Sequence, residues 1–253
     1  MTHLRASFVS MLAAMALSGC VAAPDEPPAP DRAADGEAEV TSWGCYNPQP
    51  GHPTDGEKTA WIALAAPHAQ EAEALYGVPA AAILAMTANE GGYGWTRTAL
   101  YANNVFGWKW SSSGAAGGRG YYTLTCQPSS DPNNKYVTFA DANDAILFVS
   151  AKLATMDASW ADYKAATDRY KQDRLDGVAL VTAVNRWIDG IADAGYNYDP
   201  ASYKAKLKKT ANNYMSPSTV YSEPYNLYGY SAAPGGGSGV WISIDNPQNG
   251  AAE

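Results

Sequence analysis

One segment of the 253-residue chain could do acid chemistry in an apolar setting: Ile83-Leu84-Ala85-Met86-Thr87-Ala88-Asn89-Glu90-Gly91-Gly92-Tyr93-Gly94-Trp95. Glu90 ends an apolar helical run and precedes glycines and aromatic rings. Desolvation disfavours the charged form of a carboxyl and raises its pKa, as a general acid working near neutral pH requires. The glycines read as room for a bulky substrate, and the rings as faces on which sugars could stack. By residue type alone, an exposed helix-end glutamate without a chemical role fits as well. Other chemistries lack their residues. There is no CxxC and no HExxH, and His3, His52 and His68 are scattered, so neither a metal site nor a histidine triad is expected. GAAGG and GGGSG read as linkers rather than phosphate cradles, and no cofactor is expected.

Positioning Glu90 is a task for helices. Thr54-Asp55 can cap a helix carrying Trp61, Ile62, Leu64 and Ala65, interrupted at Pro67 and resuming to Tyr76 before Gly77 stops it. Pro79 opens the next helix, with Ile83, Leu84, Met86 and Thr87 as its packing face. From Asn103 to about Tyr136 the sequence reads as a loop and a small hairpin, with YYTLT as a strand and PSSDPNN as a turn. Helices are expected again at Asp141 to Met156, Arg174 to Ile188 and Ala201 to Tyr214. The fold class is therefore α+β and mainly helical, with one short β insertion. Residues 45–214 form the domain; 215–253, rich in Tyr, Gly and Pro, form a tail without an assigned role.

The N-terminus reads as a targeting segment over 1–19. Arg5 precedes an apolar stretch, Ala6 to Leu17, too short to span a bilayer. Leu17-Ser18-Gly19-Cys20 resembles the lipobox of bacterial lipoproteins, which implies lipidation of Cys20; an ordinary secretory cut near Val21-Ala22-Ala23 is the alternative. Residues 20–44 are a Pro-, Ala- and acid-rich tether. With Cys20 lipidated, Cys45 and Cys126 are left as a disulfide pair in an oxidising compartment, two free thiols being the other possibility. Export places the chain in the cell envelope or outside it. Net charge is −8, and cleavage after Gly19 removes Arg5 and no acid, leaving −9. An acidic chain has no electrostatic pull toward nucleic acid. Tyr and Trp, 17 and 8 against 4 Phe, suit half-wet surfaces such as a saccharide groove.

Four ordered segments resemble the bacterial glucosaminidase domain, glycoside hydrolase family 73, whose core reads roughly ILAQAALESGWG…NNLFGIK. The matching residues are Ile83 to Gly94 and Asn103-Asn104-Val105-Phe106-Gly107-Trp108-Lys109. Tyr136 to Asp141 is similar to the family's FRxYxS, and Gly195-Tyr196-Asn197-Tyr198-Asp199-Pro200 with Tyr203 to its GYATDPxY. The resemblance implies a lysozyme-like domain of two lobes, a small β-hairpin forming one of them. It implies hydrolysis of a β-1,4 bond beside N-acetylglucosamine in peptidoglycan. Separately, the chain is expected to act as a monomer. Glu90 becomes the general acid, and Tyr196 the groove tyrosine near the scissile bond. Tyr93, Trp95, Asn103, Asn104, Phe106, Gly107, Trp108 and Tyr198 become candidates for substrate contact.

The chain departs from the pattern at one place. Family members often carry a second acid on the hairpin, where this chain has Thr123-Leu124-Thr125-Cys126-Gln127. Glycosidases usually need two carboxylates. Asp131 or Asp141 could substitute, or the substrate's own N-acetyl group could serve as nucleophile. A lytic transglycosylase, which needs one acid/base carboxylate, is the second reading, and a non-catalytic wall-binding lipoprotein the third.

Overall fold

A computed structural model of the chain describes residues 43–159, 161–217 and 225–231, with the backbone of 233–234 and 241–242. The targeting segment, Cys20, nearly all of the tether and most of the 215–253 tail lie outside the described residues. Helix α1 spans Asp55–Tyr76. The Thr54 hydroxyl accepts the Glu57 N–H and the Glu57 carboxylate accepts the Thr54 N–H, which satisfies two amides that a helix start leaves unpaired. Gly77 ends the helix in the left-handed region at φ 73°. The expected interruption at Pro67 does not occur. Pro67 and Ala63, whose carbonyl loses its partner, are both exposed, so that carbonyl is open to solvent. Ile62, Ala65, Ala66, Ala69 and Ala72 run buried past the proline, and their packing outweighs a cost of about 3 kcal/mol.

Helix α2, Ala80–Glu90, is buried on every side from Ala80 to Ala88, not on one face as expected. It packs against α1 and against two later helices, α6 and α7. Pro79 stands just before its first turn and offers no cap. Instead the fully buried Glu73 of α1 accepts the Ala80 N–H at 2.9 Å and the Tyr170 hydroxyl at 2.6 Å, and Ser231 Oγ accepts the Ala81 N–H at 3.0 Å. Carboxyl oxygens are well placed there, at the positive end of the helix dipole.

A short helix that the sequence did not suggest, α3 (Arg97–Ala102), leads to Asn103, left-handed at φ 51°. The hairpin is present: β1 (Tyr121–Thr123) pairs antiparallel with β2 (Lys135–Val137), Tyr122 opposite Tyr136. Helix α4 (Ala142–Thr155) buries Ile146, Val149 and Leu153 as expected. Between the two-residue strands β3 (Asp157–Ala158) and β4 (Ala161–Asp162) and α6 (Leu180–Ile191) lies α5 (Tyr163–Leu175), also unanticipated. Arg174 therefore closes α5 and does not open the next helix; Gly177, at φ 74°, makes the turn between them. After α6 one wide π turn, Ala192–Tyr196, delivers Tyr196, and Asp199 caps α7 (Pro200–Asn212). Farther on, backbone pairing joins β5 (Ala233–Pro234) to β6 (Trp241–Ile242). The described residues are thus mainly helical with small antiparallel sheets.

Cys45 and Cys126 are joined, Cα atoms 5.6 Å apart, tying the segment before α1 to the turn of the hairpin. Among the described residues no helix is long and apolar enough to cross a membrane. Because Glu73 serves two buried donors, Glu73→Ala should destabilise the domain by about 2–4 kcal/mol in urea unfolding, while exposed Glu71→Ala should stay within about 0.5 kcal/mol.

Candidate active site

Glu90 is the last residue of α2, and the glycines after it fix where its side chain stands. Gly91 is not open space for a substrate: a Cβ there would lie 2.7 Å from the Thr87 carbonyl oxygen and 2.8 Å from that of Val105. Its missing side chain lets the 103–109 loop press against the helix end. Gly94, at φ 86°, is filled in the same way by the Trp61 ring, 2.9 Å from a would-be Cβ. Trp61 is itself held, its indole N–H donating to Thr87 Oγ1 at 3.1 Å. On the other side Asn89 Nδ2 donates to the Ala85 carbonyl and to Thr210 Oγ1 of α7, at 2.8 and 2.9 Å.

The 103–109 loop is pinned by its asparagines. Asn104 is fully buried; its amide N–H groups donate to the Trp108 and Val137 carbonyls and its oxygen accepts the Trp108 N–H, all within 2.9 Å. Asn103 Nδ2 donates to the carbonyls of Phe139 and Ala140. Both bind protein backbone, which joins the helix end to the hairpin and orients Trp108. The expected sugar contact at Asn104 therefore gives way to a scaffold role, since no polar atom of it is left over. Phe106 is likewise core, while Gly107, at φ 61°, has open space around it.

Around Glu90 lies an aromatic cluster centred on Tyr196. Its ring stacks on Tyr203 of α7 (5.6 Å between centroids, 20°), meets Tyr163 of α5 edge-on at 6.0 Å, and faces Trp108 at 6.3 Å. Burial pushes the Glu90 carboxyl above its ordinary pKa, opposed by the Lys206 ammonium and by the nearby Tyr203 hydroxyl. Its place at the negative end of the α2 dipole acts in the same direction as burial. The Tyr196 and Tyr203 hydroxyls are buried and meet hydrogen-bond geometry with no described residue; Tyr203 lies near the carboxylate without that alignment. Burial, with Glu90 among the further causes, drives both phenols far above their ordinary values, so both stay protonated O–H donors. A carboxyl held toward its acid form beside the protonated Tyr196 and Tyr203 hydroxyls can protonate and orient a bound polar group.

Other candidates stand apart from this cluster. Tyr93 donates its hydroxyl to the Tyr214 carbonyl, and Trp95 stacks on His52 at 3.8 Å. Tyr198 is 99% exposed with no described ring against it, in contrast to its neighbour Tyr196. Asp131 is ion-paired with Lys109 at 2.8 Å, and the same ammonium also reaches Gln127 Oε1, the Asn133 carbonyl and the Tyr136 hydroxyl. Asp141 caps α4 by accepting the Asp144 N–H. Neither acid is among the groups acting on Glu90. Among the described residues no cluster of His, Cys, Asp and Glu could hold a metal ion. Lys206 was missed in sequence because a lysine on a lysine-rich helix carries no motif, and Tyr203 was noted only within its motif.

Comparison with known proteins gives a family match: residues 66–216 fit the glucosaminidase family, described as mannosyl-glycoprotein endo-β-N-acetylglucosaminidase. No curated protein sequence matches. A solved structure similar to the chain is the catalytic domain of the autolysin Auto from Listeria monocytogenes, at 18% identity and TM-score 0.47, covering 71% of this chain and 90% of that one.

The raised pKa of Glu90 has a consequence for stability. Folding favours the protonated carboxyl, so the stabilisation present below the unfolded pKa is lost as pH rises through the folded one. Glu90→Gln never ionises. It should raise Tm, by more at pH 8 than at pH 4, in thermal melts across that range.

Proposed function

The chain belongs to the glucosaminidase family and is a glycoside hydrolase; on that premise we propose that it cuts peptidoglycan glycan strands after N-acetylglucosamine, with Glu90 as general acid. The observation that carries this reading is Glu90 itself, enclosed against Tyr196 and Tyr203 and pushed toward its protonated form. Trp108 and Tyr196 offer faces for the sugar, and Gly107 leaves space beside them.

The candidate second acids support a single-carboxylate route, since Asp131 is bound to Lys109 and Asp141 to the start of α4. In that route the Glu90 proton goes to the glycosidic oxygen as the C1–O bond breaks. The acetamido oxygen of the same N-acetylglucosamine forms a bond to C1. Water then opens that ring at C1 and gives its proton to the Glu90 carboxylate, restoring the acid. The unspent Tyr196 hydroxyl is suited to hold the acetamido group in line for the attack. A lone carboxyl also favours a second reading, lytic transglycosylation, in which an intramolecular hydroxyl replaces water and the product is an anhydro sugar. The Cys45–Cys126 bond is compatible with an extracytoplasmic enzyme, and a lipid anchor at Cys20 would set how far from the membrane it works.

Purified peptidoglycan digested with the protein should yield fragments with reducing-end N-acetylglucosamine, identified by mass spectrometry. Anhydromuramic ends would establish the transglycosylase, and no fragments would overturn both readings. Glu90→Gln should lose about 10³-fold or more in rate, and Tyr196→Phe about 10- to 100-fold at unchanged Tm.

A further inference from the structure

The exposed side of α7 carries Ser202, Ala205, Lys206 and Lys209, spaced so that all four share one face. With Pro217 they line a hollow of about 370 Å³. The four lysines of this helix are not alike. Lys204 is paired with Asp193 at 2.5 Å and Lys208 with Asp189 at 2.6 Å. Lys206 and Lys209 have no ion-pair partner among the described residues, although the chain carries 25 acidic side chains against 17 basic ones. Both are the ones that face the hollow. The same helix flanks the end of α2: Asn89, the neighbour of Glu90, donates to Thr210 Oγ1 at 2.9 Å, and Thr210 directly follows Lys209. Tyr203, one turn before Lys206, is buried beside the Glu90 carboxyl.

We propose that the Lys206–Lys209 face of α7 is a subsite for a carboxylate carried on the substrate strand, next to the sugar that Glu90 protonates. This rests on the peptidoglycan reading above and narrows it. A neutral polymer of N-acetylglucosamine has nothing to offer two unpaired ammonium groups. A wall strand does, through the free carboxylates of its peptide stems or, where stems are missing, through the lactyl carboxylate of the muramic acid. Two charge-assisted contacts at the edge of the site would hold the strand in register and favour acidic strands over neutral ones.

Co-sedimentation and calorimetry separate the possibilities and do not depend on turnover. Wild type and Lys206→Ala/Lys209→Ala would be spun down with intact sacculi and with insoluble chitin, and titrated by calorimetry with the soluble stem-free strands that an amidase releases from sacculi. The double variant should bind intact sacculi about tenfold more weakly and chitin equally well. A loss confined to intact sacculi assigns the contact to the stem; a loss on the stem-free strands as well assigns it to the lactyl group. Equal binding of both proteins to sacculi, or an equal loss on chitin, overturns the subsite. Lys209→Glu should repeat the pattern more strongly without removing the charge beside Glu90. A protein that binds this way yet releases no fragments would disprove the catalytic reading and leave the subsite standing.

Discussion

A helix buried from its first residue to its ninth must satisfy its first amides without water, and α2 does so with groups from far along the chain. Glu73 and Ser231 take the Ala80 and Ala81 N–H groups, and Tyr170 closes the same buried arrangement. An unpaired amide in that position would cost on the order of 1–3 kcal/mol, so α1, α5 and the stretch around Tyr228 are committed to their places by α2. The composition of α2 serves the same end. Five of its first nine residues are alanine, which lets neighbouring helices approach closely and leaves little room for the axis to drift. Glu90 inherits that rigidity, being the point where the buried helix meets the surface.

The glucosaminidase motifs around Glu90 turn out to form one joint. Gly91 admits the backbone of Val105, Asn104 fixes Trp108, and Trp108 meets the ring of Tyr196. Each link is short and made to backbone or to a packed ring, so the carboxyl and the Trp108 and Tyr196 rings are located by contacts that a one-ångström shift would break. A site of that precision needs supporting residues whose own conformations are fixed. The asparagines and glycines of the motifs supply that support, and the Lys109 cluster with the Cys45–Cys126 bond anchors the hairpin to it.

Where periodicity and capping chemistry were strong, the sequence was readable. The helix start at Thr54, the stop at Gly77, the apolar face of α4, the hairpin and the cysteine pair lie where expected. The Glu90 and Tyr196 segments lie near enough for the Glu90 carboxyl to act on the Tyr196 hydroxyl. The failures share one physical cause, that tertiary burial overrides local signals. Pro67 failed to break α1 because its buried alanine stripe continues past it. Helix α5, YKAATDRYKQDRL, is held by Tyr163, Ala166, Thr167 and Tyr170, a stripe at helical spacing whose small and hydroxylated residues among many charges make too weak an apolar signal to announce it. The glycines after Glu90 looked like open space because sequence cannot say what fills a gap; here Val105 and Trp61 fill it.

Charge, too, is decided locally. A chain of net charge −8 that works on an acidic polymer is repelled from it at long range, yet that repulsion is screened beyond about 8 Å at physiological ionic strength. Within that distance the local arrangement decides, and around Glu90 it is basic: Lys206 beside the carboxyl and Lys209 one turn farther along α7. Lys206 then has two effects that pull against each other. It favours ionised Glu90, which weakens the acid, and it offers a cation to the strand, which strengthens docking. Burial outweighs it at Glu90, since the net shift is upward. The enclosure produced by a fully buried α2 is therefore what lets the Glu90 carboxyl keep its upward shift with Lys206 acting against it.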